Sequence, residues 1–153
     1  VWPEHCLIGS SGHNVQPDLL ATLQAWERSE YASINYVTKG TNIYTEHYGA
    51  LQAEVPDPKD PDTSLNSDLL LMMQKADLIA VGGEASSHCV LSTVNQIAAN
   101  IGQEHIKKFV LLTDCMSPVA ALPGVDFPAI AAAWMKEMEQ KGMKLATSDS
   151  FLK

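Results

Sequence analysis

The sequence predicts an α/β fold, a mostly parallel sheet in a three-layer α/β/α arrangement with helices on both faces. Two observations carry that expectation. Short apolar runs alternate with stretches of helical periodicity along most of the chain, the pattern of parallel strands joined by crossover helices. The composition, 46% hydrophobic and 18% charged, suits a compact chain that buries a core rather than a disordered one. At 153 residues the chain has the size of one ordinary domain, and a single domain over residues 1–153 is expected.

Each element has its own signal. Pro17 suits a first helical turn, and Leu19, Leu20, Leu23 and Trp26 then recur at helical spacing. "SINYVTK", Ser33 to Lys39, alternates as a strand does and ends at Gly40. A second helix, marked by Leu65, Leu69, Met72 and Met73, follows the polar turn after Pro61. "DLIAVGG", Asp77 to Gly83, reads as a short buried strand stopped by two glycines. Val90, Val94, Ile97 and Ile101 form a helical stripe, with Gly102 placed to terminate it. "KFVLLTD", Lys108 to Asp114, is a further buried strand. Phe127, Ile130, Ala131, Trp134 and Met138 stripe a last helix before Gly142, and "MKLATS" supplies a last strand. The irregular stretch from Gly40 to Ser64 is long for a connection in a compact domain; its aromatic residues mark a functional loop and its proline-rich end a connector.

The totals exclude some functions. A net charge of −8 argues against nucleic acid and anionic membrane, both of which select basic patches. No apolar run approaches the roughly 20 residues that span a bilayer, and no secretory leader is expected ahead of Val1. Three cysteines, Cys6, Cys89 and Cys115, are an odd number at wide spacings, which fits a reducing compartment better than a disulfide framework. A cytoplasmic protein is expected. "AAAWM" in the last helix offers an interface, and a homo-oligomer is expected.

Cys89 draws attention by its position. It lies where "DLIAVGG" passes without a spacer into a helix, and parallel α/β sheets bind ligands outside the carboxyl ends of their strands. Unpaired N–H groups and positive partial charge at a helix N-terminus favour a thiolate, and the same donors can hold an oxyanion. A buried, inert cysteine on the helix stripe is the alternative. Lys39 ends the "SINYVTK" run at what would be the same sheet edge, where it is either a partner for the thiolate or a solvated charge. His88 adjoins Cys89, but neighbours in a helical turn do not face each other, so it is not the base. His5 and Cys6 are metal ligands by type, yet neither has a partner at familiar spacing, and on spacing alone a structural histidine is the better reading.

"WPEHCLIGSSG" (Trp2 to Gly12), "VTKGTNIYTEHYGALQAE" (Val37 to Glu54) and "VGGEASSHCVLSTV" (Val81 to Val94) occur in that order, followed by "LLTDCMSPV". Together they resemble the nicotinamidase and isochorismatase-like cysteine hydrolases, over almost the whole chain. The resemblance implies a doubly wound parallel sheet sandwiched between helices and a site built from an aspartate, a lysine and a cysteine. Cys89 matches the cysteine and Lys39 the lysine. It implies a cis peptide at Glu84–Ala85, an oxyanion hole from the N–H groups of Ala85 and Cys89, and a pocket lined by Tyr44 and Tyr48. In the nicotinamidase branch the histidine of a "WPxHC" motif binds a divalent metal such as zinc, which makes His5 one ligand; "WPEHC" leans toward that branch. The matching aspartate and the other metal ligands have no counterpart here. The resemblance therefore implies that the first strand is missing and that the domain is N-terminally incomplete. The implied reaction is hydrolysis of a small amide, nicotinamide to nicotinate and ammonia, through a thioester. An isochorismatase-like hydrolase acting without metal, or a non-catalytic binding module, are the alternatives.

Overall fold

The structure is a computed structural model that describes residues 3–153; Trp2, the first residue of the "WPEHC" motif, lies outside the described residues. The chain divides between Val37 and Thr38 into two compact units.

The first unit holds helix α1, Pro17–Glu30. Pro17 occupies its first turn, where a missing N–H costs nothing, and the Gln16 side chain caps the N-terminus by accepting from Leu19 N–H at 2.9 Å. Tyr31, with φ of 52°, ends the helix in the left-handed region. The predicted stripe is present, but none of it is fully buried, and Leu19 and Trp26 are exposed. A unit this short has too little apolar surface to close a core of its own.

The strand predicted over Ser33–Lys39 does not form: the segment joins no strand of the sheet among the described residues. A strand persists only when a neighbour completes its ladder, and here the Ile34 N–H goes instead to the Glu27 carboxylate at 2.7 Å. Its alternating pattern finds no neighbouring strand among the described residues.

The second unit, Thr38–Lys153, contains the sheet. Strands β1 (Ile79–Val81), β2 (Phe109–Leu112) and β3 (Lys144–Ala146) run parallel in the order β1-β2-β3, with Ala80 opposite Val110 and Leu111 opposite Leu145. Helix α2 (Ser67–Lys75) precedes β1. Helices α3 (Cys89–Asn100) and α4 (Gln103–Ile106) link β1 to β2, and α5 (Phe127–Gln140) links β2 to β3. The strands advance in one direction, so the reversal of a doubly wound sheet does not occur among the described strands. Right-handed crossovers that advance the same way bring their helices to the same face. The Trp134 indole N–H of α5 accordingly donates to Asn95 of α3 at 3.1 Å.

Strand β2 is central, and Phe109, Val110 and Leu111 are all buried, as a strand covered on both faces must be. Strand β1 was expected to be buried too, yet Ala80 is exposed and its neighbours only half-buried, because β1 pairs on one side alone. Around β2 pack Leu69 and Leu70 of α2, Val90, Val94 and Ile97 of α3, and Trp134 and Met138 of α5. Ala131 and Trp134 thus belong to the core, which leaves Ala132 and Ala133 as the exposed part of "AAAWM". Gly102 follows Ile101 at the end of α3 with φ of 92°, a conformation that suits glycine alone. No helix among the described residues is long and apolar enough to cross a membrane.

The irregular stretch after Gly40 is tied down on α3. The Gln96 carboxamide accepts from Leu51 N–H (3.1 Å) and Gln52 N–H (3.3 Å) and donates to the Gln52 carbonyl (3.0 Å). Thr93 accepts from Ala50 N–H at 3.0 Å. Gly49 lets the Gln96 carboxamide lie against the loop backbone, where a Cβ at that position would displace it. Leu51 and Ala53 of this stretch are buried.

Removing Gln96 leaves backbone groups without partners around buried Leu51, so Gln96→Ala should lower unfolding free energy by about 2 kcal/mol in a urea titration. A second prediction concerns acid. The Ser148 hydroxyl, at 2.7 Å, and the Ser148 N–H donate to Asp114 at the end of β2 and hold its carboxyl below the ordinary aspartate range. A depressed folded-state pKa stabilises above the unfolded value and is lost as pH falls through the folded one. Asp114→Asn should therefore be less stable than the parent at neutral pH, and the difference in melting temperature should vanish on acidification.

Candidate active site

Strand β1 ends at Val81, and Gly82 and Gly83 carry the chain through a turn into α3, whose first residue is Cys89. His88 occupies the cap position with no side-chain capping bond, so no side chain of that residue competes for the N–H groups that open the helix. The Ala85 carbonyl accepts from both His88 N–H (3.0 Å) and Val90 N–H (3.1 Å), which fixes the first turn. The N–H groups of Ala85 and Cys89 donate to no partner among the described residues. The Glu84–Ala85 peptide is cis.

Lys39 reaches this turn from a distant part of the chain. Its Nζ lies 3.6 Å from Cys89 Sγ across a separation of 50 residues, and it also donates to the His47 carbonyl at 2.7 Å. The carbonyl holds the ammonium in place while its charge faces the sulfur. A cleft of about 230 Å³ opens here, lined among others by Lys39, Gly83, Glu84, Cys89 and Thr93. Cys89 is half-buried, whereas Cys6 and Cys115 are exposed.

Neither tyrosine lines the cleft: Tyr44 is exposed, while half-buried Tyr48 lies 6.3 Å, centroid to centroid, from the His88 ring. The same imidazole packs against Phe127 at 4.8 Å and its Nδ1 lies 2.8 Å from the Ser87 hydroxyl. His88 therefore belongs to an aromatic cluster beside the Cys89 turn. Sequence reasoning missed Phe127 and Thr93 as neighbours of the site, and gave Glu84 a place there only through its peptide bond. Only Thr93 had a local signal, since it sits one turn beyond Cys89, and its hydroxyl donates to the Cys89 carbonyl at 2.7 Å.

His5 is exposed in the first unit, and its Nδ1 lies 2.6 Å from the Pro3 carbonyl. Among the described residues no group of three or more His, Cys, Asp or Glu side chains is placed to hold a metal ion. The residues present do not fit a metal site around His5, and the chemistry below uses none.

No family model matches the chain, and no curated protein matches it by sequence. Solved structures do match. Yeast nicotinamidase Pnc1p superposes with a TM-score of 0.61 at 19% identity, over 95% of this chain and 57% of that one. The fold is that of the nicotinamidases. Pnc1p bound to the inhibitor nicotinaldehyde matches with a TM-score of 0.63 at 18% identity, over 96% of this chain and 58% of that one. A nicotinamidase/pyrazinamidase from Acinetobacter baumanii matches with a TM-score of 0.55 at 18% identity, over 97% of this chain and 60% of that one. The chain thus spans less than two thirds of the length of these nicotinamidase-fold structures.

The Lys39–Cys89 contact predicts selective reactivity. Lys39→Ala should slow iodoacetamide alkylation of Cys89 at neutral pH by about tenfold and leave the rates at Cys6 and Cys115 unchanged, as followed by peptide mass spectrometry.

Proposed function

We propose that this chain carries the nucleophile side of a cysteine amidohydrolase that acts on a small amide, with nicotinamide as the best single substrate. The observation that carries the reading is the 3.6 Å approach of Lys39 Nζ to Cys89 Sγ at the start of a helix, inside a nicotinamidase fold.

Cys89 Sγ attacks the amide carbonyl as a thiolate, with its proton passed to a carboxylate. The carbonyl oxygen becomes an oxyanion held by the N–H groups of Ala85 and Cys89, whose lack of other partners supports that role. The carbon–nitrogen bond breaks, the amine leaves as ammonia with the stored proton, and a thioester to Cys89 remains. Water then adds to the thioester, releasing the carboxylic acid and restoring the thiol. In sum, amide plus water gives acid plus ammonia. Lys39 orients Cys89 and offsets the negative charge that develops at sulfur and oxygen. Tyr48, with His88 and Phe127, supplies aromatic surface next to the turn for a flat substrate ring.

No aspartate lines the cleft among the described residues, and we assign the proton-carrying role to an aspartate outside them. The same observation favours a second reading, a binding module that keeps the fold and the thiol without turnover.

The test is ammonia release from nicotinamide by the full-length natural polypeptide. Cys89→Ala should lower kcat by at least about a thousandfold while circular dichroism stays unchanged. Turnover undiminished in Cys89→Ala overturns the mechanism. A folded parent that binds nicotinamide without releasing ammonia identifies the binding module.

A further inference from the structure

The turn that carries Cys89 is laced to a second segment, the loop that leaves β2. Gly83 N–H donates to the Cys115 carbonyl at 2.9 Å, and Ser86 N–H donates to the Ser117 carbonyl at 2.9 Å. In the opposite direction, Val119 N–H donates to the Ser87 hydroxyl at 3.0 Å and Ser117 N–H donates to Glu84 Oε2 at 3.1 Å. The backbones are pressed together as well, since a Cβ on Gly82 would lie 3.0 Å from Cys115 Cβ and 3.2 Å from its carbonyl oxygen.

Three of these links are made by backbone alone or by buried Ser87. The fourth depends on an exposed carboxylate, a residue that no packing demand puts there. An exposed glutamate normally points to water. Here it spends an oxygen on a backbone N–H, a bond that ionisation strengthens. From the sequence reading, Glu84 had a place in the site only through its peptide bond.

We propose that Glu84 is a positioning residue for the nucleophile: its carboxylate clamps the Gly83–Ser87 turn to Ser117 and thereby holds Cys89 against Lys39. The inference rests on the cysteine-amidase reading for its effect on turnover, but not for the clamp itself. The path is short. Glu84 is adjacent to Ala85, whose carbonyl takes two N–H groups of the first turn of α3 and so sets where that turn begins. Release of Glu84 lets the turn move relative to the Lys39 ammonium, which is fixed independently by the His47 carbonyl. A small misplacement of reacting groups is costly in rate and cheap in binding, so the loss falls on kcat.

Glu84 also lines the cleft, which makes proton transfer the rival role for its carboxylate. The two roles part on the amide isostere, which keeps an acceptor oxygen and cannot carry a proton. The experiment compares Glu84→Gln and Glu84→Ala in the full-length polypeptide by nicotinamide kinetics, Cys89 alkylation rate and hydrogen exchange at the Ser117 amide. Glu84→Gln should stay within about twofold of the parent in all three. Glu84→Ala should lose about tenfold in kcat with KM within twofold, slow Cys89 alkylation, and speed exchange at Ser117. Equal loss of turnover in both variants makes Glu84 a proton carrier and overturns the clamp. Parental exchange and alkylation in Glu84→Ala overturn it too. If the parent does not hydrolyse nicotinamide, the amidase reading fails alone, because alkylation and exchange still report on the clamp.

Discussion

Parallel pairing of β1 with β2 is the constraint from which the site follows. Parallel neighbours end on the same edge of the sheet, so the turns that leave them must meet there. One of those turns opens α3 with Cys89, and the other is the Cys115–Val119 segment. Each turn has backbone groups that the sheet no longer satisfies, and each finds them in the other through the bonds of Gly83, Ser86 and Ser117. The fully buried side chains of β2 hold that edge rigid, with Phe109 and Leu111 set in the core. The position of Cys89 is thus inherited from the best-packed strand of the sheet rather than from the turn that bears it.

The lysine arrives by a different route. Nothing regular lies between Gly40 and Ser64 except the short turn Pro61–Thr63, yet the loop is anchored by hydrogen bonds to side chains. Helix α3 provides the anchor, with Thr93 and Gln96 one and two turns beyond Cys89. The helix that presents the thiol therefore also binds the loop that follows Lys39. Hydrogen bonds to side chains replace a ladder here, which is how a segment without secondary structure can bury Leu51 and Ala53.

What was legible in the sequence was whatever a short window encodes. The stripe of Val90, Val94, Ile97 and Ile101, the run through Phe109 and Leu111, and Cys89 at a strand-to-helix junction are all local patterns, and all stand in the structure. What failed depended on a distant partner. The alternation of Ser33–Lys39 satisfies a strand on one face but cannot supply the neighbour that makes it one. The apolar run of β1 looks like a buried strand, although its burial is decided by how many strands pair with it. Tyr44 and Tyr48 are alike in sequence, and only the path of the loop exposes the first and brings the second to His88. The contact of the Glu84 carboxylate and the place of Phe127 could not have been assigned, since their partners, Ser117 and His88, are distant in sequence.

Among the three cysteines, accessibility and neighbouring charge single out different residues. Cys6 and Cys115 are exposed and Cys89 is only half-buried, so exposure would select either of the others. Neighbouring charge reverses the choice. Cys115 offers its S–H to the Asp114 carboxylate at 3.7 Å, which puts a negative charge beside the sulfur. Cys89 faces an ammonium that is itself held by a carbonyl, beside helix N–H groups that no His88 side chain caps. An attacking thiolate and a developing oxyanion are both negative, and one arrangement of positive groups serves both in turn. Of the three sulfurs, only the one at the end of β1 is placed where its own charge and that of the group it would attack are balanced by the same turn of helix.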